Sequence, residues 1–198
     1  MSLVASSPFR LALITAPAIE PLTLEETRAH LRIDDTDSDD VLTNLISTSR
    51  QMVEETTRRA LMTQTWRLTL DAFAGEIPLP KPPLQSVTSI TYTDPDAAEQ
   101  TVSTALYDVD IVAQPGRVLL GYGDSWPSDV RDHPGAVKVL YVAGYGSARA
   151  AVPWPVRQAM LLYIGHLFEN REATTPISIN DLPMGVGSLL MPYRIFGF

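Results

Sequence analysis

A change of hydrophobic period between residues 21 and 73 constrains this chain more than any other feature. Over Pro21–Leu61 apolar residues recur at three- and four-residue spacing, and from Met62 they alternate. The first pattern belongs to helices with one buried face, the second to a half-buried strand. One segment therefore commits the chain to a mixed α+β fold. Thr23-Leu24-Glu25-Glu26 fits a capping box, in which the Thr23 hydroxyl and the Glu26 carboxylate each bond the other's backbone N–H. The spacing predicts a short helix to about Ile33, with Leu24, Ala29 and Leu31 on its apolar side. Asp34–Asp40 follows as an acidic turn. Asp37 or Ser38 is expected to cap the next helix, with Asp39 and Asp40 at its positive end. That second helix is predicted from Ser38 to Leu61, about 35 Å at ~1.5 Å per residue. Its apolar or small face runs through Leu42, Ile46, Ser49, Val53, Thr56 and Ala60. Glu54–Arg58 and Glu55–Arg59 are i,i+4 pairs in the favourable order on the other side.

From residue 62 the reading is β. Trp66, Leu68 and Leu70 alternate with Thr65, Arg67 and Thr69. The proline-rich Ile77–Leu84 is expected to be an extended surface connection, because proline lacks the N–H and fixes φ. Residues 87–93, 100–103, 107–112, 117–122 and 137–142 are strand candidates. They are separated by turn signals such as Gln114-Pro115-Gly116. These predict one small antiparallel sheet of five or six strands, inserted between helices. Val152–Glu172 returns to helix and is apolar enough to be buried on most sides. It is expected to pack against the second helix, with Gly165 admitting another backbone. The last stretch is irregular yet ends in Leu189, Leu190, Met191, Tyr193, Ile195 and Phe196. An apolar tail of this kind either folds back on its own chain or docks on a partner.

The organisation that follows is a single domain over 1–198. A helical core of two N-terminal helices and a C-terminal one comprises 20–61 and 152–172. A small antiparallel β-region is inserted at 62–146, and an apolar tail covers 173–198. The opening residues, with a broken apolar stretch and a single Arg, read as an arm of the mature protein rather than a secretory signal.

Composition removes several function classes. The chain holds no cysteine, which excludes disulfides and thiolate chemistry. Its net charge is −8, and it has no basic run able to displace counterions from nucleic-acid phosphates. No apolar run approaches the ~20 residues of a membrane span. Asp35, Asp37 and Asp39 have the spacing of the first EF-hand ligands, but Asp40 stands where that loop needs Gly and Ile46 where it needs Glu. His30 and Asp34 form an isolated i,i+4 pair. His133 lies in a turn, and His166 is a polar position on the last helix. Nucleophile-elbow and phosphate-loop motifs are lacking. No catalytic, cofactor or metal residue is expected, and the reading is that of a non-enzyme.

Three segments carry a resemblance. They are PLTLEETRAHLRIDDTDSDDVLTNLISTSRQMVEETTRRALMTQTWRLTLDAF at 21–73, IPLPKPPLQSVTSITYTD at 77–94 and VPWPVRQAMLLYIGHLFENRE at 152–172. Together they resemble the small head–tail connector (head-completion, portal adaptor) proteins of tailed phages and prophages. The resemblance implies a virion assembly protein, made in the host cytoplasm and placed at the head–tail interface. It would be a homo-oligomeric ring under the portal protein, touching tail-side neck proteins and letting DNA pass without specific binding, away from any membrane. Contact candidates are the second helix's expected exposed face, Arg50, Glu54 and Arg58, and the tail residues Leu189, Leu190, Met191, Tyr193, Ile195 and Phe196. The alternatives are another neck or tail-completion protein, or a metal-dependent hydrolase using the acidic turn.

Overall fold

The computed structural model describes residues 9–170 and 184–196. Helices and strands segregate into two compact units, so the fold is mixed α+β. Residues 9–16 and 64–144 hold the strands, and residues 17–63, 145–170 and 184–196 hold the α-helices.

In the helical unit the described helices are α1 (Leu24–Leu31), α2 (Asp39–Thr57), α3 (Trp154–Glu169) and α4 (Met184–Leu190). The capping box forms as read. Thr23 Oγ1 accepts from the Glu26 N–H at 3.0 Å and Glu26 Oε2 accepts from the Thr23 N–H at 2.8 Å. Ser38 occupies the N-cap position of α2 but makes no side-chain cap bond. Instead Asp39 is clasped by Arg28 of α1, which ties the two helices across the acidic turn. α2 stops four residues short of the expected end, because Arg58 turns left-handed at φ 59°. Ala60, Leu61 and Met62 keep the apolar pattern going past that point because they run buried through the core in irregular backbone. At 19 residues, α2 is about 28 Å long.

α3 packs against α1, α2 and α4. Val53, Leu61, Met160, Ile164, Val186 and Leu190 are fully buried in their common core. A Cβ on Gly165 would meet two side chains, Leu31 at 3.6 Å and His30 at 4.0 Å. That is ordinary contact, so this glycine is not there to admit a backbone.

The β unit contains β1 (Arg10–Thr15), β2 (Gln64–Leu70), β3 (Glu76–Leu79), β4 (Leu84–Thr93), β5 (Glu99–Thr101), β6 (Tyr107–Asp110), β7 (Gly116–Leu120) and β8 (Val137–Ala143). They form two antiparallel sheets among the described residues, with orders β1-β2-β8-β4-β5 and β3-β7-β6, not the single sheet expected. The register aligns Leu11, Leu68, Val139 and Ile90 across four strands. Since directly opposed residues share a face, these make the buried side of the larger sheet.

Two differences have clear causes. The proline-rich connection contributes an edge strand, β3, in which Ile77 and Leu79 are buried and Pro78 is exposed. Proline is tolerated there because an edge strand has one side without a ladder. The expected N-terminal arm contributes β1, whose backbone pairs with β2. Gly116 opens β7 where a Cβ would lie 2.5 Å from the Leu84 Cβ, so no larger residue fits. Phe73 and Trp126 stack at 4.7 Å and 5°, and Trp126 Nε1 donates to the Ala74 carbonyl. These contacts pin the strandless stretch after β7.

Candidate interaction surfaces

The residues singled out on α2 divide. Arg50 donates from Nε to Glu20 Oε2 and from Nη1 to Glu54 Oε2, both at 2.8 Å. Glu54 Oε1 accepts the Leu61 backbone N–H at 2.9 Å. Only 8% of Arg50 and 7% of Glu54 reach solvent. Burial disfavours the guanidinium's charge, yet the two carboxylates outweigh it and hold the Arg50 pKa above its ordinary value. The expected exposed face is therefore corrected at these two positions. Glu54 thus pairs with Arg50, one helical turn before it. Arg58 is exposed and serves as the left-handed end of α2.

The C-terminal candidates divide in the same way. Leu190 is fully buried beneath α3. Leu189 and Tyr193 pack against the same core. Arg59 Nε donates to the Tyr193 carbonyl at 2.6 Å, and the Ile195 N–H donates to the Thr57 carbonyl at 3.1 Å. Residues 184–195 are thus stitched to the helical unit. Met191 and Phe196 remain exposed, at 66% and 73%, and the Arg194 guanidinium lies 5.5 Å from the Phe196 ring. The part of the expected tail over 171–183 lies outside the described residues, as do 197–198.

The acidic turn is used internally. Asp35 Oδ1 accepts the Asp37 N–H, and Asp39 pairs with Arg28. Among the described residues no group of three or more His, Cys, Asp or Glu side chains could hold a metal ion.

Two features escaped the sequence reading. One is a cleft of about 480 Å³ between α1 and α3, with Leu31, Leu162 and Gly165 as its apolar part. His30, Arg32 and His166 stand around it with Glu169. The other is the turn joining β6 to β7. Ile111 is 51% exposed and Val112 85%, side by side at the tip. Asp110 holds them there. Its Oδ1 accepts the N–H groups of Val112 and Ala113, both at 3.1 Å. Its Oδ2 takes Arg117 Nε, and Arg117 Nη1 reaches Glu76 on β3. Those backbone donors and Arg117 keep the Asp110 carboxyl below its ordinary pKa. The sequence signal was available, since two β-branched residues precede a turn that would favour Gly, Asn or Asp. The sequence reading had absorbed them into the strand.

Residues 21–114 match the family described as Phage gp6-like head-tail connector protein, a stretch that takes in the first two of the three segments on which the connector resemblance was read. The protein's fold matches solved chains of gene transfer agent (GTA) particles. One comes from the neck of an empty GTA particle computed with C6 symmetry, with TM-score 0.79, 24% identity and coverage of 96% of this chain and 97% of that one. A second comes from the virion of the native GTA particle, at TM-score 0.77, 24% identity, 95% and 96%. A third comes from the neck of the native particle computed with C12 symmetry, at TM-score 0.76, 24% identity, 96% and 97%. No protein of curated function matches.

Proposed function

We propose that this protein is a structural neck component of a phage-like particle, forming a ring at the portal vertex that joins head to tail and helps retain packaged DNA. The observation that carries the reading is the conjunction of a connector-family match over 21–114 with a neck-protein fold over nearly the whole chain. The helical unit is the connector frame, and the β unit is the insertion it carries. Its partners are further copies of itself, the portal protein on the head side and neck proteins on the tail side. A net charge of −8 suits a channel that DNA traverses without being held. A symmetric ring needs a patch on each subunit that fits a different patch on the next, and the exposed Met191 and Phe196 are suited to the portal or tail contact. The role is architectural, and the protein belongs in the finished virion.

The test is deletion of the gene in a strain that produces the particles, followed by electron microscopy of what is released. Tailless heads that leak or lack DNA, restored by supplying the protein, are the expected result. Normal infectious particles would overturn the reading.

A further inference from the structure

The two features the sequence reading missed are complementary in shape and charge. Ile111 and Val112 form a short apolar knob on a stiff support, since Asp110, Arg117 and Glu76 brace the turn from three strands. Holding two β-branched side chains at a turn with half of Ile111 and most of Val112 left in water runs against both turn preference and burial. Breaks of local preference of that kind mark functional positions. The cleft of the helical unit offers what the knob lacks. Its volume of about 480 Å³ admits two aliphatic side chains, and Leu31, Leu162 and Gly165 supply apolar surface. Leu162 is itself 37% exposed.

Charge orders the pair. Asp108 is exposed on β6 two residues before the brace, and Arg32 is exposed at the cleft. Neither makes an ion pair within the chain among the described residues. Docking the knob sets an unpaired carboxylate beside an unpaired guanidinium, and that pair would fix orientation more than affinity.

We infer that the Ile111–Val112 turn of one copy inserts into the α1–α3 cleft of a second copy, as a head-to-tail contact repeated around the ring. A knob on one surface meeting a pocket on another is the heterologous arrangement that closes into rings when the rotation permits. Two side chains do not make a whole interface of about 800 Å² per partner, so the knob is its anchor, of the kind that carries most of the energy in a small area. The inference rests on the ring reading above and names which surfaces build it.

The cysteine-free sequence permits a direct test. The double variant Val112→Cys/Leu162→Cys, both positions exposed, is made alongside each single variant. Purified protein at high concentration and particles from the complemented deletion strain are treated with a mild oxidant and run without reductant. The expected result is a ladder of linked multimers from the double variant, with nothing beyond a dimer from either single variant. No ladder in either sample, or a fast-migrating intrachain link, overturns the inference. Charge reversal supplies the second arm. Asp108→Arg and Arg32→Asp should each lower complementation at least tenfold, and the two together should restore it. Wild-type behaviour of both single variants overturns the pairing, while rescue by the wild-type gene shows that the connector role stands. If deletion has no phenotype, the connector role fails and the cross-link on purified protein still decides the contact.

Discussion

Arg50 in the helical unit and Arg117 in the β unit each bind two carboxylates through two nitrogens. Arg50 does so with 9% of its side chain exposed, and Arg117 with 40%. The chemistry is the same and the consequence differs. In water, ion pairs contribute roughly 0–1 kcal/mol and are screened by salt. A buried charge cannot be abandoned, so losing one member of a buried pair costs far more than forming the pair gained. The Arg50 network therefore locks the turn after α2 into the core. The Arg117 network instead stiffens a turn whose side chains stay in solvent.

Four measurements would break or sharpen that contrast. The largest effect belongs to Glu54→Ala, which leaves Arg50 short of a partner and orphans the Leu61 N–H. A loss of about 3–5 kcal/mol is expected in chemical denaturation. A loss below 1 kcal/mol would mean the site is wetter than its burial implies. Next comes the C-terminal segment, where two neighbours should behave in opposite ways. Leu190→Ala should cost about 2–5 kcal/mol, and Met191→Ala, at an exposed position, nearly nothing. Equal effects would show that 184–196 is not core.

The third measurement is acid titration. Burial raises the Glu26 pKa, but the Thr23 N–H and Arg157 outweigh it and hold it below its ordinary value. A lowered folded-state pKa adds stability that is complete above the unfolded value, about 4.3 for glutamate, and is lost as pH falls through the folded value. Tm should drop on acidification below that value, and drop less in Glu26→Gln. The smallest effect is at the knob. Asp110→Asn should leave Tm within experimental scatter while raising amide exchange at Val112 and Ala113. In 1 M salt the Arg117 cluster should loosen, whereas the Arg50 cluster should not.

Much of this architecture was legible from local rules. The capping box at Thr23–Glu26 formed as read, because it depends only on residues three apart. The strand cores at Gln64–Leu70 and Val137–Ala143 followed from alternation. The Gln114-Pro115-Gly116 turn fell where its residues placed it, between β6 and β7. The connector resemblance was legible for the same reason, since it rests on the order of such local patterns. Arg50 and Glu54 were misjudged because charged residues on an amphipathic helix are read as solvent-facing. Burying Arg50 depends on Glu20, 30 residues away, as well as on Glu54. The early end of α2 was invisible because Arg58 is not a residue that announces a left-handed turn.

The sequence by itself determined α1, α2, α3 and most of the strands between residues 62 and 143, because those choices are settled between residues a few positions apart, while the helix Met184–Leu190, in a stretch read as irregular, and the strand Arg10–Thr15 escaped it. It also determined that no cysteine chemistry is available. Only the tertiary structure decided that the strands form two sheets rather than one, that residues 10–15 join the larger sheet, and that Leu190 is core while Met191 is not. It alone decided that two valence-matched arginine clusters differ in burial, and that an apolar knob and a cleft coexist on one chain. These are long-range outcomes, fixed by what each side chain meets after folding, and no local pattern carries that information.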